Sequence, residues 1–419
     1  MLIVTVKIFI NQVPTADFPT RGYEFELDFV NEFEANNSWR DFTDELKITL
    51  PKNFAYTDTT GTVVVNPANT ATNIGGFSSG APLFMKGDEI TIVAGYTYQL
   101  NNQTITDTAT IFSGYVRSVT SKKPYTLMCE DYMFKLKQLP APNKLFLGSK
   151  YTLETMLAEL VAPLGYAVNQ TAQTSIGDFR CQNETVMDVL ARLHKDYHFI
   201  SYFGQPAQIA AGSGLVQSVP QLFCGPFVVY QTPGNTYQFV FQGNIISDEL
   251  EYARQDDVVL SALAYSINKV SVTGTTKDGA TKTKQQRLEA LVTYQNGKFT
   301  SKINPPGQQA DFPANYTGDR RTLYFWNVTD PNKLVALAQA ELQRYYYTGL
   351  RGKFTTFGVP FVRQGDIAEI YDTVLPERQG RYMIKSVQYK FSVDEGLRQI
   401  VELDYRVGDI TPGSTPSIY

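Results

Sequence analysis

The chain is poor in the side chains on which most enzymes and metal proteins depend: two histidines, three cysteines and two tryptophans in 419 residues. Two histidines supply little acid–base or metal chemistry. Cys129, Cys181 and Cys224 lie far apart without a C-x-x-C, which excludes a zinc or dithiol motif and a disulfide framework. They read as free thiols of a protein made in a reducing cytoplasm. Charge is scarce as well. There are 37 Lys plus Arg against 41 Asp plus Glu, a net of −4, and charged residues reach only 19%, below the roughly 25% of an average soluble domain. That is too little positive charge to hold nucleic acid by its backbone. No apolar run approaches the roughly 20 residues of a membrane helix. The apolar start of Met1–Ile10 is too short for a signal-peptide core and reads as a first strand. What is abundant is aromatic: 26 Tyr and 26 Phe, with much Thr and Asn, a β-sheet composition. The length suggests two or three domains at about 150 residues each.

The hydrophobic pattern divides the chain in three. Up to about residue 140 it alternates with period two: Tyr23, Phe25, Leu27 and Phe29 share one face, and Glu45–Leu50, Gly87–Tyr96, Thr108–Val116 and Tyr125–Asp131 repeat the pattern. Short strands separated by turns predict a barrel or sandwich. Residues 55–82, rich in Thr, Asn, Gly and Pro, read as a long surface loop or insertion. The period then becomes helical. Leu153, Met156, Leu157, Leu160 and Val161 follow a capping Thr152 and stop at Pro163 and Gly165. Val186, Val189, Leu190, Leu193 and Tyr197 form a second stripe, and residues 204–222 read as a loop. Strands resume at Leu260 and Lys269–Gly274, with a hairpin turn at Asp278-Gly279. Residues 301–325 look loop-like. A helix follows Asp330-Pro331 with Leu334, Leu337, Ala338, Leu342 and Tyr345 inward, and Gly349 is placed as its C-cap. Strands then run to Leu403.

The two ends echo each other. Met85-Lys86-Gly87-Asp88-Glu89-Ile90 precedes Gly114-Tyr115-Val116-Arg117-Ser118-Val119; Arg363-Gln364-Gly365-Asp366-Ile367 precedes Gly380-Arg381-Tyr382-Met383-Ile384-Lys385-Ser386-Val387. In each, a Gly-Asp turn opens an alternating strand, and a strand ending in basic-Ser-Val follows. Glycine permits positive φ and aspartate can bond its own turn. The repeat predicts two related barrels.

No constellation of catalytic residues is convincing. Gly76-Phe77-Ser78-Ser79-Gly80 matches G-x-S-x-G but lacks the apolar strand before it and the helix after it, so a loop is the better reading. His194 and His198 share a helical face, yet Lys195 stands where a metalloprotease carries glutamate, and packing is the better reading. Gly148-Ser149-Lys150 lacks the glycine spacing of a P-loop. The pairs Asp44-Glu45 and Asp394-Glu395 give no readable glycosidase geometry. Lys282, Lys284 and Arg287 read as a solvated hairpin arm rather than a nucleic-acid patch. No catalytic, cofactor-binding or metal residue is assigned.

The run Gly87–Ile90, Ile111–Val116 and Leu127–Asp131 resembles the first barrel of phage tail hub proteins of the late control protein D family, relatives of the N-terminal part of type VI secretion VgrG spike proteins. Thr185–Lys195 with Tyr197-His198-Phe199 resembles the segment after that barrel; Gly365–Ile367, Gly380–Ile384 and Gly396–Leu403 resemble the last barrel. The resemblance implies a mainly β chain with an α+β insertion: two tube-forming antiparallel β-barrels plus a small mixed α/β domain. The first barrel is placed at 1–143 with the insertion 55–82, the α/β domain at 144–250, the second barrel at 251–406 with an insertion about 275–345, and a flexible tail at 407–419. The implied function is a non-enzymatic structural hub of a phage tail tip or baseplate. The chain would form a homotrimer in the virion tail, with two barrels per subunit facing a hexameric tube. The implied partners are tube and distal baseplate proteins and a separate spike or tip protein, since nothing after 406 could form a needle. DNA would pass only in transit, past a weakly charged lumen, without membrane insertion. A carbohydrate-binding or adhesin β-protein is the alternative, because Tyr and Asn suit sugar stacking; a hydrolase through Ser78 or a carboxylate pair is a third.

Overall fold

A computed structural model describes residues 2–19, 21–27, 29–51, 54–58, 63–66, 82–100, 103–120, 124–169, 176–197, 199–204, 207–210, 216–225, 235–254, 260–275, 281–295, 298–304, 318–326, 328, 330–345 and 347–410. The fold is mostly antiparallel β with few helices, the class expected. Alternating segments of the N-terminal third form nine strands: β1 Leu2–Asn11, β2 Glu24–Leu27, β3 Glu32–Ser38, β4 Glu45–Leu50, β5 Phe54–Asp58, β6 Val63–Asn66, β7 Glu89–Leu100, β8 Gln103–Val119 and β9 Tyr125–Glu130. Six more come from the second half: β10 Thr236–Val240, β11 Ile245–Ala253, β12 Gly349–Phe357, β13 Ile367–Tyr371, β14 Gly380–Ser392 and β15 Gly396–Gly408. All fifteen belong to one sheet, in the order β11-β12-β15-β14-β3-β4-β9-β8-β7-β1-β2-β5-β6, with β13 beside β14 and β10 parallel to β13.

A strand of alternating polarity buries every second residue. The inward set of both halves, including Ile8, Phe25, Ile48, Ile92, Leu127, Phe354, Tyr382, Tyr389 and Val401, merges into one hydrophobic cluster. Each such side chain contributes roughly 1.5–3 kcal/mol by leaving water. Buried phenols must also find partners: the Tyr389 hydroxyl donates to the Val362 carbonyl, and the Tyr382 oxygen accepts from Leu350 N–H at 3.0 Å.

Gly114 sits where β8 meets β9, and a Cβ there would lie 2.1 Å from the Glu130 carbonyl oxygen. Backbone cannot step aside as a side chain can. Gly114→Ala is therefore expected to destabilise by about 3 kcal/mol, the upper end of overpacking costs, read as a lower calorimetric melting temperature; an unchanged melting temperature would refute this account.

The middle of the chain has its own core. Helices α1 Met133–Leu136, α2 Leu153–Val161 and α3 Val186–Tyr197 bury Met156, Leu157, Leu160, Val189, Leu190 and Leu193 against Phe146, Phe199 and Leu222. Thr152 caps α2, its Oγ1 accepting from Thr155 N–H, and Gly165 ends the following 3-10 turn at φ 68°. Thr185 and Asp188 make the reciprocal bonds at the start of α3. Residues 204–222, read as a loop, contain the hairpin Ala207–Ala210/Val216–Val219, and strand Gln221–Gly225 begins at their end. Their small and polar residues hid the pairing. Similarly, β5 and β6 occupy part of the proposed loop 55–82, added to the edge of β2.

A third cluster lies under helix α4 Pro331–Tyr345, whose Leu334, Ala338 and Leu342 face Leu260, Ala262, Ala264, Ala290 and Val292. The sheet there runs Lys298–Asn304, Thr281–Gln295, Leu260–Thr275, Asp319–Trp326. Two of these strands fall in residues 301–325, expected as loop. Asp319–Trp326 pairs in parallel with Leu260–Ile267, and a parallel partner is remote in sequence and leaves no turn signal. Gly349 is not the C-cap of α4: it is the first residue of β12, packed against the Tyr382 ring. Residues 276–280, with the expected turn at Asp278-Gly279, lie outside the described residues.

Candidate functional site

The two Gly-Asp turns coincide atom for atom in their bonding. Gly87 has φ 96° and Gly365 φ 88°, a region favouring glycine. Asp88 Oδ2 accepts from Met85 N–H at 2.7 Å, and Asp366 Oδ2 accepts from Arg363 N–H at 2.7 Å. Asp88 Oδ1 accepts from Val13 N–H at 3.1 Å; Asp366 Oδ1 accepts from Asn235 N–H at 3.0 Å. Gly87 N–H donates to Val116 O at 2.8 Å and Val116 N–H returns to Asp88 O; Gly365 N–H donates to Ile384 O at 2.9 Å and Ile384 N–H returns to Asp366 O. One difference is large. Asp88 is fully buried with Arg21, Nη2 to Oδ2 2.5 Å. In the second turn, burial raises the Asp366 carboxyl above its ordinary pKa, against its two backbone bonds and Arg363.

The strands beyond the turns repeat too. A β-bulge interrupts β8 between Val116 and Ser118, and another interrupts β14 between Ile384 and Ser386. Following pairs outward, Ser118↔Met128, Met128↔Lys47 and Lys47↔Glu34 correspond to Ser386↔Glu402, Glu402↔Lys353 and Lys353↔Glu249. Thus β7, β8, β9, β4 and β3 are equivalent to β13, β14, β15, β12 and β11. The flanks differ, since β1 pairs β7 antiparallel while β10 pairs β13 in parallel.

The halves meet at one seam, β3 on β14, in the register Ser38↔Ser386 through Glu32↔Ser392. Phe33 stacks on Phe391 with ring centres 5.6 Å apart, and Gln388 Nε2 donates to Glu34 and Asn36 at 2.6 Å. Tyr96 binds across, its hydroxyl donating to Leu397 O at 3.0 Å and accepting from Gly358 N–H at 3.2 Å.

Beside the seam lies a cavity of about 600 Å³, lined among others by Asn37, Asp44, Asp131, Tyr132, Tyr202 and Arg363. Burial pushes Asp44 up to about 7 although Ser38 N–H stabilises its anion; Asp131 is raised well above the carboxylate range by burial and by the Asp44 charge. Nothing in the pattern around Asp44 or Asp131 marks them as neighbours, because the contact depends on β4 pairing with β9.

The candidates for chemistry disperse. Ser78 and its flanking glycines lie outside the described residues, as does His198. His194 Nδ1 bonds Phe199 O at 2.8 Å and its ring packs edge-on to Phe42. Gly148 N–H donates to Asp178. Glu45 lies away from Asp44 in an exposed pair with Arg117, and Glu395 N–H donates to Ser392 Oγ in the β14–β15 hairpin. Arg287 pairs with Glu289 and lies 4.0 Å over Tyr265. All three thiols are buried; burial raises Cys181 to about 11 and Cys224 to about 12. Among the described residues no three His, Cys, Asp or Glu are grouped to hold a metal ion, and no helix is long and apolar enough to cross a membrane.

No protein-family model matches the chain, and no curated protein does. Solved structures do. The tail protein of Neisseria meningitidis MC58 matches over 96% of each chain, with 11% identity and a TM-score of 0.50. The 43 kDa tail protein of prophage MuSo2 from Shewanella oneidensis matches over 95% of this chain and 97% of that one, at 13% identity and TM-score 0.47. An E. coli type VI secretion component, described as similar to bacteriophage T4 tail proteins, matches over 94% and 79%, at 10% and 0.44. The class so defined is one of fold: this chain is similar in fold to the Neisseria tail protein along nearly its whole length.

Proposed function

We propose that this protein is a structural component of the tail of a phage or phage-like particle, a hub of its tip or baseplate rather than an enzyme. The observation that carries the reading is the duplication: two five-strand halves with matching turns, bulges and registers, joined in one chain whose fold is similar to that of a tail protein. A chain with two equivalent halves suits a threefold ring that must meet a sixfold tube. In this reading 1–143 and 251–406 are the two barrel-like units, the second carried on by β15 to Gly408, and 144–250 is the α/β unit apart from strands β10 and β11. Strands 236–253 serve the second unit through pairing with β12 and β13. The ring joins the tube to a distal tip or spike, and DNA crosses its lumen in transit. Few Lys and Arg favour such passage, since phosphate affinity comes from those cations.

Light scattering on the purified full chain is expected to give three times 47.0 kDa, alone or beside tail components. A monomer that never joins tails would overturn the proposal.

A further inference from the structure

The duplication also specifies how copies join, an inference that rests on the ring proposed above. Each half ends in an equivalent outer strand, β3 in the first and β11 in the second. β3 is covered by β14 of the other half. β11 pairs with β12 on one side and, among the described residues, with no strand on the other. In the first half, β8 past Val116 is equivalent to the part of β14 that receives β3, and its flank away from β9 likewise has no strand among the described residues. One chain therefore presents both parts of a second seam at separate places.

We propose that β11 of one copy pairs with the end of β8 of the next, in the register of the internal seam. Ser386↔Ser38 becomes Ser118 opposite Ala253; Val387↔Asn37 becomes Val119 opposite Tyr252; Gln388↔Asn36 becomes Thr120 opposite Glu251. Burial supports the missing cover. Val387 is 1% exposed and Ser38 7% under the internal seam, while Val119, Tyr252 and Ala253 are half-buried and Ser118, Thr120 and Glu251 exposed. β11 carries Asp248, Glu249 and Glu251 along its length. An unpaired strand edge invites a strand of another chain. The contact is heterologous, and such contacts close into rings when the rotation allows. With two equivalent halves per chain, a sixfold repeat closes after three copies.

The test uses the full chain with Ser118→Cys and Ala253→Cys, mildly oxidised and run on a non-reducing gel. The native thiols are buried and do not compete. Covalent dimers and trimers are expected, with none from the off-register pair Ser118→Cys and Ser247→Cys. Unsubstituted protein is weighed in parallel by mass photometry. Trimers without the in-register cross-link overturn the strand pairing and leave the ring standing; monomers without cross-link overturn both; equal cross-linking of the two pairs overturns the register.

Discussion

Asp88→Ala is expected to cost about 3–5 kcal/mol of stability, the price of leaving a buried partner charge uncompensated, while Asp366→Ala costs roughly 1–3 kcal/mol, the loss for buried hydrogen-bonding groups left unmet. The turns are equivalent, so local bonding cannot cause the difference. Both aspartates hold the N–H three residues back and one distant N–H. Only Asp88 faces a guanidinium removed from water. Arg21 is 4% exposed, and its remaining bonds go to the carbonyls of Val13, Pro82 and Leu83. Without the carboxylate those carbonyls carry a whole buried charge. Arg21→Met with Asp88→Asn should recover much of the loss, because a pair replaced together leaves no charge stranded. Calorimetric melting of the three variants beside the unsubstituted protein is the measurement. Equal losses for the two alanine variants would show that the ion pair adds nothing to the turn.

Stability is also expected to fall as pH rises from about 4 to about 7, and Asp44→Asn to flatten that fall. Burial, the main cause, raises Asp44 from 3.8 to about 7 in the folded chain. Between those values the folded state holds a proton that the unfolded chain has released, so raising pH favours unfolding. At 1.36 kcal/mol per pKa unit the ceiling for Asp44 is roughly 4 kcal/mol. Asparagine keeps the oxygen that accepts from Ser38 N–H at 2.9 Å and carries no charge. Melting temperatures at pH 4.5 and 8 should therefore converge in the variant. Some slope remains, since burial also raises Asp131, and Glu341 to about 7. A wild-type melting temperature that rises across this window would overturn the account.

Helices were legible because their signals are local. Thr152, Pro163 and Gly165 bracket α2, and the stripe from Val186 to Leu193 marks α3. The Gly-Asp turns were legible for the same reason, since glycine and aspartate act within four residues. Gly349 misled because a glycine after a helix fits a C-cap, whereas its use is steric, under the Tyr382 ring 33 residues onward. The strands within 301–325 and 204–222 were missed because polar edge and ribbon strands carry little hydrophobic alternation.

By itself the sequence determined the class of fold, the three pattern regions and the repeat, all of which follow from periodicity and turn chemistry acting over a few residues. Tertiary structure alone decided that both halves share one fifteen-stranded sheet and one core, that Arg21 meets Asp88, and that Asp44 approaches Asp131. The scarcity of histidine, cysteine and charge excludes chemistry without saying where strands join. Strand pairing is between backbones, which every residue carries alike, so register and seam depend on which faces can be buried together.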